Sequence, residues 1–591
     1  IVVNQTVTEG AYYKVISYKE RANNPEIKEP VPWTAEVSEG TTSIPDEISS
    51  KSEEIKNYFN NINGKKSDAR AWMPEDGTNN IWEGNGSVKA TKYDVSFAPQ
   101  MTGTSWPGDW QMRSKNEVGK EAPRDLSKVA GTRNTANCYV VNAPGYYKLP
   151  LVYGNAITDD RTNERSYKFN NGDVDNCNGK ALGIFKDYNG NEIKNAKISG
   201  AKSAILVWQD AYNLISDVKL EYGTDGYDYL TFKVNGDELQ QGNAVLGIRD
   251  RDNTIMWSWH IWINEEWIKN DEGILGNRDV KFDTWDSGYD QFTSARHNLG
   301  WCDPKDVWYL KRTGTMTFTQ KQSGKEKTLN VEQRECKIEY WIGNNVYYQF
   351  GRKDPIVGFM NEKSVVKYNF GTLAYKIEDQ FKNIQDGIRN PNILYLGKNI
   401  TYGTGKEHWL NTNYYNLWNN TSIALRRPNG NYDNADFIKY LYSGVKTIYD
   451  PSPAGYMVPP GGFFKIMVNA QRKASGIAQQ EIGNFFNGYY KGMSGHNGYY
   501  IYTVYTQKGK RGETMDLTGT GERWYRRDTA EPGSNFNPAT IYLWSNQIIP
   551  TANGGTRSGA GLALGGGASH YYFIGAAAMA RPVRPVREFT R

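Results

Sequence analysis

Chemistry needs reactive groups that can meet, and this sequence keeps most of its reactive groups apart. The five histidines, His260, His297, His408, His496 and His570, stand alone, so local spacing assembles no zinc site. The carboxylate pairs Asp159/Asp160 and Asp250/Asp252 fall in turn-like stretches, where aspartate is expected for its backbone hydrogen bonds. "GTDGYD" (223–228) gathers oxygens, but a hairpin turn accounts for it better than calcium. "LWNNTS" (417–422) offers amides with no acid to set charge on a divalent ion. There is no P-loop, no dinucleotide fingerprint, no nucleophile elbow and no metalloprotease helix. A glycosidase pair would have to come from acids distant in sequence. The expectation is a protein that is not an enzyme and has no cofactor or metal.

The chemistry left is that of a binding surface. The chain of 591 residues holds 41 Tyr, 18 Trp and 60 Gly. Aromatic rings stack on sugar CH faces, and neighbouring amides supply hydrogen bonds. On that ground the candidate ligand-contacting residues are Trp409, Tyr414, Tyr415, Trp418, Asn419, Asn420, Trp524 and Tyr525. The competing reading is that these rings pack long loops. Four cysteines, Cys138, Cys177, Cys302 and Cys336, allow three pairings if oxidised, and free buried thiols are the alternative. Net charge is +5 with neither sign in long runs, so no nucleic-acid footprint or polybasic anchor is expected. No apolar run reaches the ~18 residues of a membrane span. The apolar opening "IVVNQTV" without Met suggests an exported, processed chain.

The elements that must position these residues are mostly strands. Residues 1–130 give short strands, "AYYKVISYKE" (11–20) the best of them, with one helix-like stretch at 49–64 and a linker-like run at 102–135. Residues 131–300 hold "CYVVNAPGYYKLPLVYGNAI", read as two strands about an Asn-Ala-Pro-Gly turn. "AILVWQD", "YDYLTFKV" and "NAVLGIRDRDNTIMWSWHIWI" follow, the last a hairpin turning at 249–253. In its returning strand Trp257, Trp259, Ile261 and Ile263 share one face, with Ser258, His260 and Trp262 on the other. An antiparallel sandwich of about seven or eight strands is the economical arrangement. Residues 301–591 begin with a strand pair turning at "SGK". Two helix-like stretches, "AYKIEDQFKNIQDGI" and "NADFIKYLYSG", then lie among long loops. "YDPSPAGYMVPPGGFF" (449–464) sets four prolines among large apolar side chains. Proline fixes φ and removes a donor, so this is a rigid, ordered loop.

Several of these stretches come in a familiar order. "RNTANCYVVNAPGYYKLPLVYGNAI", "LVWQDAYNLISDV", "GNAVLGI", "MWSWHIWI" and "HNLGWC" together resemble a cassette of large fimbrillin-family (type V pilus) surface proteins of Bacteroidales. "YYQFGRKDP", "VKTIYDPSPAGYMVPP" and "ARPVRPVRE" resemble the module that follows it. That module is similar to the major paralogous domain of Fibrobacter (FISUMP), with a C-type-lectin-like fold close to that of formylglycine-generating enzymes. No Cys lies beyond Cys336 to match the catalytic cysteines of the latter.

The resemblance implies a mainly β chain in three parts. These are a fimbrillin-like, pilin-like β domain for assembly at 1–130, with a first strand removed by processing, an antiparallel β-sandwich at 131–300, and a C-terminal α+β, C-type-lectin-like adhesive domain with long loops at 301–591. It implies that the Pro-rich loop is framework, with Tyr456 and Pro459–Pro460 as scaffold. It also implies export to the cell surface and donor-strand exchange with other pilus subunits, a strand from one filling the groove of another. The ending "YYFIGAAAMARPVRPVREFTR" reads as a closing strand with no spare donor, hence a tip subunit that binds a glycan or protein ligand. The alternatives are an outer-membrane glycan-binding lipoprotein of a polysaccharide uptake system, a carbohydrate-active enzyme, and a structural stalk subunit.

Overall fold

The structure is a computed structural model of the whole chain. It describes, with short internal gaps, residues 11–38, 115–169, 181–265, 291–302, 305–356, 376–397, 408–421, 435–467 and 541–589, and elsewhere only short segments. The fold is mainly β. No helix among the described residues is long and apolar enough to cross a membrane.

The chain forms two compact units, and they divide it differently from the three consecutive parts expected. One unit is Ile1–Ser105 with Lys305–Glu339; the other is Trp106–Pro304 with Tyr340–Arg591. Strand pairing is the cause. In the first unit, Lys311–Gln320 pairs antiparallel with Trp33–Ser38 on one side and Glu326–Gln333 on the other. Thr315, Thr317 and Thr319 stay half-exposed while Phe318 and Gln320 are buried, the period-2 pattern of a half-buried strand. Phe318 meets Trp33 edge-to-face at 5.8 Å. Ser323, Gly324 and Lys325 lie in the turn of this hairpin, as expected. The helix expected at 49–64 lies outside the described residues.

In the second unit eight strands form two four-stranded sheets, compatible with the expected sandwich. They are β1 (Arg124–Asp125), β2 (Cys138–Val141), β3 (Gly145–Pro150), β4 (Ser203–Gln209), β5 (Ile215–Tyr222), β6 (Asp228–Val234), β7 (Gly242–Arg249) and β8 (Ile255–Ile263). One sheet runs β2-β8-β7-β4 and the other β1-β3-β6-β5. The Asn-Ala-Pro-Gly turn therefore joins strands of different sheets and closes no hairpin. Both β2 on β8 and β1 on β3 pair in parallel. The β7–β8 turn is as expected: Asp250 Oδ1 accepts the amides of Asp252 and Thr254 at 2.9 Å.

The sandwich strands and the C-terminal region share one core, because β8 is buried on both faces. Ser258 reaches Asp354, His260 reaches Tyr348, and the Trp262 indole donates to the Trp301 carbonyl at 2.9 Å. The first helix-like stretch is instead a short strand, Lys376–Glu378, followed by α1 (Ile384–Arg389). The second is α2 (Ala435–Leu441).

The Pro-rich loop walls this core. Asp450 clamps it by accepting the Ser452 amide at 2.8 Å and the Val458 amide at 2.9 Å. Lys446 donates to the Pro453 carbonyl at 2.8 Å. Phe463 and Phe464 sit in a buried cluster with Phe282, Phe292, Tyr440 and Leu543. Against the loop lies an extended segment bearing an arginine every third residue. Arg581 pairs with Glu522 at 2.6 Å and stacks on Trp544. Arg584 binds Asn298 Oδ1 at 2.8 Å and the carbonyls of Ala295 and Arg296. Arg587 pairs with Asp279 at 2.6 Å over the Tyr456 ring. Three pegs thus fix one extended segment, Arg581 at Glu522, and Arg584 and Arg587 at one end of the hairpin formed by Val280–Phe282 and Phe292–Ser294.

Candidate functional site

The aromatic and amide residues expected to face a ligand are mostly spent inside the unit. Trp409 is buried; its indole donates to the Phe350 carbonyl at 2.9 Å, and its ring stacks with Tyr395 beside the Arg352 guanidinium. That guanidinium in turn binds the carbonyls of Gly387 and Asn390 at the end of α1. Trp418 is fully buried and donates to the Tyr449 carbonyl at 3.1 Å. Asn419 binds the Ser443 carbonyl and the Val445 amide, standing in for a strand partner. Asn420 donates to the carbonyls of Arg165 and Lys168 at 2.7 and 3.0 Å. These four are framework: buried rings have no free face for a sugar. Tyr414 is half-buried, while Tyr415, Trp524 and Tyr525 lie outside the described residues.

The titratable groups of the interior are also engaged. Lys353 Nζ donates to Ser258 Oγ at 2.7 Å and to both Asp354 oxygens at 2.7 and 2.8 Å, beneath the Trp257 ring. Burial pulls its pKa down to about 8 against the opposing pull of Asp354. His260 Nε2 lies 2.9 Å from Asn243 Oδ1, while the Asn243 amide nitrogen donates to Asp210 and the Gly300 carbonyl. That oxygen can only accept, so Nε2 carries the proton and Nδ1 accepts from the Tyr348 hydroxyl at 3.2 Å. Burial lowers the His260 pKa to about 3 and keeps the ring neutral. Cys138 and Cys302 are free, buried thiols. Cys177 lies outside the described residues. In "GTDGYD", Asp225 accepts from Tyr227 N and Tyr229 Oη within the β5–β6 turn, as a hairpin reading requires. Among the described residues no three His, Cys, Asp or Glu side chains gather as a metal site.

Among the described residues, one sheet edge differs from the others, the outer edge of β2. This strand, Cys-Tyr-Val-Val, is uncharged and fully buried, and it ends its sheet. In its parallel pairing, His260 N donates to Asn137 O and Asn264 N to Val141 O. Residues 137, 139 and 141 therefore face β8, and the amide and carbonyl of Val140 point away from it. Among the described residues, a single bridge from Cys138 to Pro453 stands on that outer side. Beyond it is a cleft of about 50 Å³ lined by residues 138–142, 124–126, 128 and 129, Tyr147, Pro453 and Ala454. Its far wall is held by Asp125, which accepts from Ser127 Oγ at 2.6 Å and pairs with Arg133 at 3.2 Å. Arg133 also binds Tyr229 Oη at 2.9 Å and lies over the Tyr227 ring.

Such an edge offers main-chain donors and acceptors rather than reactive side chains. Burial pushes the Cys138 thiol well above its ordinary range, so it holds its proton and is no nucleophile. The signal in the sequence was the absence of charge in "CYVV", visible only beside charged strands such as β5. No family model, curated protein or solved structure matches this chain.

Proposed function

We propose that this chain is a pilus-tip adhesin, exported to the cell surface and built into its filament as a strand acceptor. The observation that carries the reading is the β2 edge, an uncharged buried strand whose outward backbone groups border a cleft. An added strand gains main-chain hydrogen bonds from such an edge and specificity from the pockets alongside. The motif resemblance supports the pilus context. The groove expected within residues 1–130 rests on side chains outside the described residues, so the edge in the second unit is the acceptor proposed. The ligand-binding part of the reading keeps Tyr414, Tyr415, Trp524 and Tyr525, and its ligand is a surface glycan or protein. The C-type-lectin-like fold of the C-terminal region belongs to the same proposal.

The test is incubation with peptides copying strands of the filament subunits found with this chain on its cell surface. A peptide at a hundred times its Kd stabilises the fold by about 2.7 kcal/mol, so Tm rises by several degrees. The Val140 amide becomes protected from hydrogen exchange at the same time. No shift with any peptide overturns the reading in favour of a free-standing glycan binder.

A further inference from the structure

A cleft of about 50 Å³ holds a few waters and no strand. If β2 accepts a strand, its far wall must move. That wall is the end of a strap, residues 117–129, lying along the outer edge of β3.

We propose that this strap is a gate, a built-in stand-in for a strand whose release opens the slot between β2 and β3. The inference rests on the strand-acceptor reading above and adds how access to that site is controlled.

The strap's attachments fit that role. It meets β3 only twice. Near Gly145, Val118 N donates to the Pro144 carbonyl, and the Val118 carbonyl accepts from Tyr146, both at 2.8 Å. Farther on, the two residues of β1 pair with Tyr147 and Lys148, and Leu126 N donates to Lys148 O at 2.9 Å. Between the two contacts Lys120, Glu121 and Ala122 are exposed, and Pro123 supplies no donor. Val118, Leu126 and Val129 are only half-buried, so little apolar surface holds the strap down. Gly119 has φ +70°, and a Cβ there would stand 2.3 Å from the Tyr146 carbonyl oxygen, so only glycine lets the strap lie this close. The other end is held by a charged latch, Asp125 tied to Ser127 and to Arg133, whose guanidinium is anchored in turn by Tyr229, and by backbone pairing of Ser127, Lys128 and Val129 with residues 132–134. Release needs this ion pair and a handful of backbone bonds to break, while the β3–β6 ladder stays intact.

The experiment combines hydrogen exchange with peptide uptake on the full chain, in wild type, Asp125→Asn and Gly119→Ala. The two variants loosen opposite ends, so misfolding of one leaves the other to decide. The probe is a fluorescent peptide of alternating valine and threonine, together with the filament-strand peptides. The expected result is that the amides of Val118, Leu126 and Tyr146 exchange ahead of those of Leu230 and Phe232. Both variants speed that exchange and the peptide association rate by about tenfold, with Leu230 and Phe232 unchanged. Peptide binding to wild type and variants at one rate, or strap amides exchanging only with the β3–β6 ladder, overturns the gate and leaves the acceptor reading standing. Failure of every peptide to bind any of the three proteins overturns the acceptor reading and the gate together.

Discussion

Strand β5 closes one sheet with Asp217, Lys219 and Glu221 exposed along it and Tyr222 66% exposed at its end. It also carries a bulge between Ser216 and Lys219, where Asp217 takes φ +53°. Strand β2 closes the other sheet with no charge, no register shift and no exposed side chain. Charge and bulges are the ordinary means of keeping a sheet edge from pairing with another chain. One edge carries both protections against added strands, while the other carries neither and meets only the bridge from Cys138 to Pro453 among the described residues. A protein with no use for strand addition would be expected to protect both.

The comparison can be broken by putting charge on the open edge. Val140→Lys forces an ammonium into a cleft with no carboxylate free to meet it. A loss on the order of 3 kcal/mol is expected, read as a lower denaturant midpoint, along with loss of peptide binding. A lesser effect is tied to the neighbouring strand, since His260 stands in register with Cys138. The fold holds His260 neutral down to about pH 3, whereas the unfolded chain takes up a proton below about 6.5. The unfolded state therefore binds the extra proton, and stability falls as pH drops from 6.5 towards 3. At pH 4.5 the loss is about 2–3 kcal/mol. His260→Gln should remove that slope between pH 6.5 and 4.5 whatever its cost at neutral pH. At β5, Asp217→Gly relieves a left-handed backbone and should raise stability by about 0.5–1 kcal/mol in thermal unfolding. The smallest change in stability, within about 0.5 kcal/mol, is expected from Lys219→Val with Glu221→Val on this exposed edge. That double variant should nevertheless self-associate in sedimentation runs, because it strips two of the three charges that protect β5. A monomer at all concentrations would show that the bulge with Asp217 suffices to protect this edge.

Much of the β content was legible. Alternation and turn residues located β4, β6, β7 and β8, the 249–253 turn, the hairpin at 323–325 and α2, because each depends on neighbours in sequence. The helix at the first of the two C-terminal stretches shrank to Ile384–Arg389, since Lys376–Glu378 gains a parallel partner at Ile393–Tyr395. Strand partners distant in sequence were not legible: nothing in Trp33–Ser38 announces Lys311–Gln320. Nor could spacing show that β2 and β3 enter different sheets. The misplacement of Trp409, Trp418, Asn419 and Asn420 has the same origin. An aromatic with neighbouring amides serves equally to stack on sugar or to bind interior carbonyls, and only burial distinguishes the two uses. The candidate site itself is made of backbone, which the identity of side chains records only as a lack of charge.

The arginine pegs at 581, 584 and 587 bear on how the second unit answers force. An extended segment advances roughly 3 Å per residue, so pegs three residues apart seat about 9 Å from one another. Arg581 is lodged at Glu522, while Arg584 and Arg587 are lodged side by side on the hairpin of Val280–Phe282 and Phe292–Ser294. Tension along the segment loads the three in shear, so they share the pull instead of yielding in turn like a peeled hairpin. The unit should therefore hold to one high rupture force and then give way at once.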